Sequence, residues 1–383
     1  MRSKADRRQA SATGWVAGLD PWPAEFGLER IERLLAELGD PQLAYPAIHL
    51  VGTNGKSTTA RLVEALLGDA GLAVGTYVSP HVLRWGERIH VRGEEADFER
   101  AVARIREAAD ELGATQFEAL TAAALAEFAS SGVDVAVVEA GLGGRLDATN
   151  VLPSALVVLT NVGLDHTDVL GETREEIAGE KLAVLTPGAV AVLGEPEWAD
   201  LARAQGAGEV IVAGRSNLAL AVAAAEAFLG RPVDPAAAEN VRLPGRLEVR
   251  AEDPLEIWDG AHNPAGVGYL LARLPGREYV LVVSILADKD ADGMLAAFSA
   301  LGDTLVATTS PNARALSPTE LAGRAVPFFA SVVAVPDPAE AVEKARELAG
   351  RGGAVLVSGS LYLLSALAAA ARGRLPWDAS ASG

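Results

Sequence analysis

Short apolar runs alternate with longer amphipathic ones along almost the whole chain. Ala47–Val51 is continuous in hydrophobicity, is bounded by Pro46 and Gly52, and leads into a helical stretch, Ser57–Ala70. Ala73–Val78, Val133–Glu139, Ala155–Thr160 and Ala189–Leu193 are equally continuous, the pattern of strands buried on both faces. Phe98–Leu112 and Phe117–Ser130 carry helical periodicity between them. This alternation predicts an α/β fold with a parallel sheet covered by helices on both faces. A second series follows the Pro-containing stretch Arg231–Pro244. Its strands are expected near Leu255–Trp258, Tyr279–Val283, Thr304–Ala307 and Ala354–Val357, and its helices near Pro264–Leu274, Pro338–Leu348 and Leu361–Arg372. The boundary is expected near Leu243–Gly245, giving domains of residues 1–243 and 244–383, each long enough for its own core. No internal repeat is visible.

Composition narrows the partners. The 383 residues hold 33 Lys and Arg against 51 Asp and Glu, a formal net charge of −18. Such a chain lacks the broad positive field that nucleic acid or an anionic membrane surface attracts. With no cysteine there are no disulfides, thiolate zinc sites or cysteine nucleophile. Met1–Gly18 is basic and then mixed, without the apolar core of about 7–15 residues that a secretory leader needs. The apolar stretches Ala219–Leu229 and Ala354–Ala371 are interrupted by Glu226 and by Ser358-Gly359-Ser360, so neither offers about 20 uninterrupted apolar residues. A cytoplasmic location is expected.

Gly52-Thr53-Asn54-Gly55-Lys56-Ser57-Thr58 lies between a predicted strand and a predicted helix. In that context a Gly-rich loop cradles phosphate. Small residues let backbone N–H groups approach the oxygens, the helix N-terminus adds partial positive charge, and Lys56 neutralises β/γ-phosphate charge. Ser57 or Thr58 would reach a magnesium ion. Leu50 stands where the longer Walker spacing has glycine, so the form is a shorter G-x-x-G-K-S.

Three further segments fall at predicted strand ends, where open α/β sheets bind ligands. They are Ser79-Pro80-His81 with Glu87-Arg88-Ile89, the run Glu139–Asn150, and Asp165–Asp168 followed by Gly179-Glu180-Lys181. Ser79 and Glu139 are hard oxygen ligands suited to magnesium; His166 is a less usual one. Singly, each residue reads as scaffold: a core or surface histidine, a solvated glutamate, a helix-surface lysine. Only their joint placement downstream of a phosphate loop points to a site.

Gly52–Thr58, Ser79–His81, Thr115–Glu118, Glu139–Asn150, Asp165–Lys181, Leu243–Leu247, Asp259–Pro264 and Ser358–Tyr362 resemble, in order, the bacterial folylpolyglutamate synthase/dihydrofolate synthase family of the ATP-dependent Mur ligase superfamily. The resemblance runs from about Gly27 to Leu363. It implies a P-loop parallel-sheet ATP-binding domain followed by a smaller Rossmann-like α/β glutamate-ligase domain. It implies that Thr53, Asn54, Gly55, Lys56, Ser57 and Thr58 hold the ATP phosphates, and that Asn217, Arg246 and Asp259 contact the nucleotide. Ser79, Glu139 and His166, with Ser57, match magnesium ligands, and Lys181 matches a carbamylated lysine serving a second magnesium ion. Lys56, Lys181 and His166 are thus the expected catalytic group. Glu25, Phe26, Gly27, Thr115, Gln116, Phe117, Glu118, Leu146, Asp147 and Ala148 fall where dihydropteroate is held, and His262 in the second domain joins the substrate-binding set or organises its own turn. The expected substrates are dihydropteroate, folates and L-glutamate, joined through an acyl phosphate, by a monomer. Ser57 replaces the family's usual glycine, and Gly194–Asn217 is shorter than usual, as if a small strand-rich subdomain were missing.

Two other readings compete. A peptidoglycan-precursor ligase of the same superfamily carries an N-terminal UDP-sugar domain, for which the 51 residues before Gly52 are too few. A P-loop nucleotide switch without ligase activity leaves Glu139–Asn150 and the second domain without a role.

Overall fold

The structure, a computed structural model, describes residues 10–372, so the first half of Met1–Gly18, on which the leader reading partly rests, lies outside the described residues. The chain forms two compact units that part between Val241 and Arg242.

In the first unit the strands are β1 Ala47–Val51, β2 Val74–Tyr77, β3 Ile89–Val91, β4 Glu94–Glu95, β5 Val135–Glu139, β6 Ser154–Leu159, β7 Val190–Leu193 and β8 Glu209–Val212. They order as β4-β3-β2-β5-β1-β6-β7-β8 in one sheet. Its helices are α1 Ala12–Val16, α2 Glu29–Glu37, α3 Lys56–Asp69, α4 Phe98–Leu112, α5 Gln116–Ser131, α6 Thr167–Leu170, α7 Arg174–Leu182, α8 Ala199–Ala204 and α9 Asn217–Leu229. From β2 to β8 the pairing is parallel. Only β3 runs against the other strands, pairing antiparallel with both β2 and β4; the β3–β4 turn passes through Arg92 and Gly93, both at positive φ, the backbone of a tight hairpin.

Both sheet faces are covered. Ile48 and Leu50 pack with Val63, Leu67, Leu220 and Ala224 of α3 and α9. Val51, Val157 and Leu159 face α7 and α8, and Ala47, Ala136 and Val138 face α4 and α5. This is why the central strands lack a polar alternation: they have no wet face. The register Leu50↔Glu139 and Val51↔Leu159 brings the carboxyl ends of β5, β1 and β6 side by side. Three loops leave there, the phosphate loop, the Glu139–Asn150 run and the segment of His166. The Gly194–Asn217 stretch folds as a 3-10 turn, α8 and the edge strand β8.

The second unit holds β9 Glu248–Glu252, β10 Leu255–Trp258, β11 Val280–Val283, β12 Thr304–Ala307, β13 Ser331–Ala334 and β14 Ala354–Ser358, ordered β13-β12-β11-β14-β10-β9 with only β9 antiparallel. Its helices are α10 Pro264–Leu271, α11 Ala291–Phe298, α12 Pro318–Ala325, α13 Pro338–Ala349 and α14 Leu361–Arg372. Its core gathers Leu281, Val283, Met294, Leu295, Phe298, Leu305 and Leu356. Among the described residues no helix is long and apolar enough to cross a membrane.

Candidate active site

Gly55 sets the phosphate loop's turn into α3. Its φ is +84°, a backbone few side chains adopt, and a Cβ there would stand 2.6 Å from Asn217 Oδ1. Asn217, the first residue of α9, is thereby brought against the loop. The loop is buttressed from β6. Thr53 N donates to Asn161 O at 3.0 Å, and Asn54 N donates to Asn161 Oδ1 at 3.1 Å. Asn54 O accepts from Asn161 Nδ2 at 2.9 Å and Thr160 Oγ1 at 2.7 Å. Gly163 N donates to Thr53 Oγ1 at 2.9 Å.

Two lysine side-chain nitrogens converge on one carbonyl. Lys56 Nζ donates to Gly52 O at 3.0 Å, and Lys181 Nζ donates to the same oxygen at 3.1 Å. Lys181 is 4% exposed, not the surface lysine that its helical context suggests in isolation. Burial first, and then the charge of Lys56, bring its amine down to about 7, against the opposing pull of Asp165 and Asp147. What admits it is Gly144, where a Cβ would stand 2.6 Å from Glu180 O and 2.7 Å from Lys181 O; the loop after β5 lies directly on the last turn of α7. Arg145 N then donates to Glu180 O at 3.1 Å.

Glu139 closes the other side. Its carboxylate is buried, lies 4.0 Å from Lys56 Nζ and accepts from Ser79 N at 3.0 Å. Ser57 Oγ stands 3.5 Å from Ser79 O, so Ser57, Ser79 and Glu139 adjoin one another beside Lys56. Thr58 follows in the first turn of α3, half-buried. His166 precedes α6 in the left-handed region, φ +52°, with its side chain exposed and Nε2 4.0 Å from Asp165 Oδ1. Among the described residues there is no cluster of three or more His, Asp or Glu positioned for a metal. A Ser–Ser–Glu oxygen set, with the phosphates of a nucleotide supplying further oxygens, remains a suitable environment for a hard cation.

The other predicted residues divide by environment. Asp147 faces inward, where burial raises its carboxyl; it accepts from Leu142 N at 2.7 Å and from Thr149 N and Oγ1, fixing the loop from inside. Leu146 is exposed and Ala148 is buried. Thr115 and Glu118 form a capping box at the start of α5, with Arg30 3.5 Å from Glu118. Gln116 Nε2 donates to Val16 O, and the Phe117 ring takes the space that a Cβ on Gly141 would fill. Glu25 and Phe26 are exposed on the loop before α2, Phe26 edge-on to Trp22 at 6.4 Å, and Gly27 lies beside Glu29. In the second unit Asp259 accepts from Leu247 N and Ala261 N; burial raises its carboxyl and Arg246 opposes that. His262 Nδ1 lies 2.8 Å from Gly260 O, inside its own turn.

His81, Glu87 and Arg88 serve the local fold. Arg88 Nε donates to His81 Nδ1, and Glu87 accepts from the N–H groups of Val82, Leu83 and Arg84. Sequence reasoning missed His49, Asn161 and Glu195. His49 sits fully buried in β1, where burial brings its imidazole down to about 3, with Nε2 2.8 Å from Thr149 Oγ1. Because the Thr149 hydroxyl gives its proton to Asp147, Nε2 is the donor in that pair. The signal was one imidazole inside an otherwise apolar five-residue strand. Removing the anchor is expected to loosen this loop: Asp147→Ala strands the Leu142 and Thr149 donors and should cost about 1–3 kcal/mol of stability. Chemical denaturation measures it.

A phosphate loop with two converging lysines and a buried carboxylate, on a parallel sheet followed by a second α/β unit, defines the Mur ligase class. The Mur ligase middle domain matches residues 50–229, and the Mur ligase glutamate ligase domain matches residues 245–361. The dihydrofolate synthase/folylpolyglutamate synthase of Mycobacterium tuberculosis is 36% identical over 381 residues, covering 79% of this chain and 78% of that protein. FolC of E. coli, solved in complex with DHPP and ADP, superposes with a TM-score of 0.86 at 31% identity, covering 96% of this chain and 99% of that one. A bifunctional folylpolyglutamate synthase/dihydrofolate synthase solved with Mn, AMPPNP and L-glutamate gives 0.83 at 32% identity, over 95% and 98%. The chain belongs to the dihydrofolate synthase/folylpolyglutamate synthase family of ATP-dependent ligases.

Proposed function

We propose that this protein, acting as a cytoplasmic monomer, joins L-glutamate to dihydropteroate and to folates with hydrolysis of ATP to ADP and phosphate. The observation that carries the reading is the convergence of Lys56 and Lys181 on Gly52 O beside buried Glu139. A substrate carboxylate oxygen attacks the γ-phosphorus, its P–O bond forms as the β–γ bridge breaks, and ADP leaves. The glutamate amine then attacks the acyl phosphate carbonyl; the C–N bond forms, phosphate departs with the C–O electron pair, and the amine loses a proton.

Lys56 neutralises charge accumulating on the transferred phosphoryl group, and Thr53 to Thr58 position it. Ser57, Ser79, Glu139 and His166 would hold magnesium, which when bound offsets phosphate charge. Lys181, as a carbamate, would serve a second ion: a neutral amine adds carbon dioxide and loses a proton, turning a cationic side chain anionic. A buried amine already lowered to about 7 supplies that neutral form near physiological pH. Exposed Trp22, Phe26 and Leu146 offer apolar surface to a flat heteroaromatic ring, beside Glu25 and Gly27. Thr115–Glu118 shape that side by fixing the start of α5. Asn217 contacts the nucleotide in this reading; within the second unit, Arg246 and Asp259 are read as nucleotide-contacting residues and His262 as a substrate-binding one.

The expected result is glutamate-dependent ADP release with dihydropteroate and also with tetrahydrofolate, measured by a coupled assay. Turnover with neither acceptor sinks the reading. Omitting magnesium should abolish release with both.

A further inference from the structure

One buried carboxylate outside the expected constellation touches three segments that surround the phosphate loop. Glu195, 4% exposed, follows β7. Its Oε2 accepts from Val162 N at 3.0 Å, from Arg174 Nη2 at 3.0 Å and from Trp198 Nε1 at 2.9 Å. Its Oε1 pairs with Arg215 Nη2 at 3.1 Å. Arg174 also donates through Nε to Val162 O at 2.9 Å, so both backbone groups of Val162 are clamped.

The clamp's position matters. On one side of Val162, Asn161 holds the backbone N–H and carbonyl of Asn54; on the other, Gly163 is bonded to Thr53. Arg215 lies two residues before Asn217, whose amide oxygen occupies the space beside Gly55. Arg174 opens α7, and Lys181 sits in that helix's last turn. A shift of Glu195 is thereby transmitted to Thr53, Asn54 and Gly55 through hydrogen-bonded neighbours, and local packing offers these segments little room to absorb it, since Val162 is itself buried.

We propose that Glu195 is a positioning residue for nucleotide binding. Through Val162 and Arg215 it holds Asn161 and Asn217 against the phosphate loop and so sets the loop's affinity for a nucleoside diphosphate. The inference rests on the phosphate-loop reading above. An isolated solvent-facing ion pair contributes little, but here the carboxylate is buried and holds four donors. Removing an outer-shell partner of a metal ligand costs about 10–100-fold in affinity, and Glu195, which reaches the loop through Val162 and its neighbours, is expected at the low end of that scale.

The test titrates the full-length protein with ADP and magnesium by calorimetry. Glu195→Ala should raise the ADP Kd about tenfold. Glu195→Gln, which keeps an acceptor for Val162 N–H and the Trp198 indole while losing the charge, should raise it about threefold, as should Arg215→Ala, whose guanidinium is largely exposed. The Glu195→Gln/Arg215→Ala double variant should show less than the product of the single effects, because both remove one interaction. The KM for glutamate at saturating nucleotide should stay within about twofold of the wild type. Should Glu195→Ala fail to fold, the other variants carry the test. An unchanged Kd in Glu195→Gln and Arg215→Ala, or independent effects in the double variant, overturns the proposal while leaving the function standing. Wild-type protein that binds no ADP overturns both.

Discussion

Lys56→Met is expected to lower turnover by about 10²–10³-fold, the usual cost of deleting one preorganised electrostatic group from a transition state. The side chain is already aimed. Its ammonium donates to Gly52 O at 3.0 Å and lies 3.4 Å from Thr53 O, while Glu139 stands 4.0 Å away. These neighbours hold a compact point charge at the head of α3, where backbone N–H groups and the helix dipole also favour an anion. Methionine keeps most of the stem's packing and removes the charge together with the hydrogen bonds to Gly52 O and Thr53 O, so the folded state should persist. Lys56→Arg should fail nearly as badly, because a planar guanidinium is wider than an ammonium and cannot occupy the same point beside Gly52 O. The rate of ADP formation at saturating substrates measures the loss, and circular dichroism shows that the fold is retained. Turnover within about fivefold of the wild type in Lys56→Met would remove the lysine from the reacting centre.

The phosphate loop was legible because its parts are contiguous: strand, glycines, lysine and helix start follow one another within a dozen residues. The central strands were legible because burial on both faces leaves no polar alternation, as in Ala47–Val51 and Val280–Val283. Edge strands were not. Glu209–Val212 and Ser331–Ala334 are four residues each and exposed at their ends, and their short apolar runs, Val210–Ala213 and Val332–Val335, are too brief for periodicity to separate strand from helix. Among site residues, the burial of Lys181 depends on a glycine 37 positions earlier, Gly144, that admits one backbone onto another. Glu195 takes its meaning from Val162, Arg174 and Arg215, partners that only the sheet's order assembles. Such relationships are long-range and leave no local spacing to read. The capping box Thr173–Glu176, which starts the helix of Lys181, was by contrast present as a local signature and was overlooked.

Lys181→Met should abolish most ligase activity and at the same time stabilise the protein near neutral pH. Lys181 is 4% exposed and shares Gly52 O with Lys56, and its amine is lowered from 10.5 to about 7 by burial and by that neighbouring charge. A group whose folded-state pKa lies below its unfolded value contributes stability above the unfolded pKa and loses it as pH falls toward the folded one. Between about pH 10 and 7 the unfolded chain therefore binds the proton more readily than the native one, and native stability declines as pH drops across that window. Every tenfold difference in proton affinity is about 1.4 kcal/mol, so burying this amine costs several kcal/mol at pH 7. Methionine fills the same space without that cost. Thermal unfolding from pH 6.5 to 10 in buffer freed of carbon dioxide, where the amine is unmodified, should show a Tm for Lys181→Met above that of the wild type at the acid end, the two curves converging as pH rises. A site destabilised by its own lysine is what a functional demand on that lysine produces. In the proposed reading that demand is the carbamate, and addition of ¹³C-bicarbonate should give the wild type a carbamate carbon signal that Lys181→Met lacks. Equal Tm profiles together with full activity in the variant would return Lys181 to the scaffold.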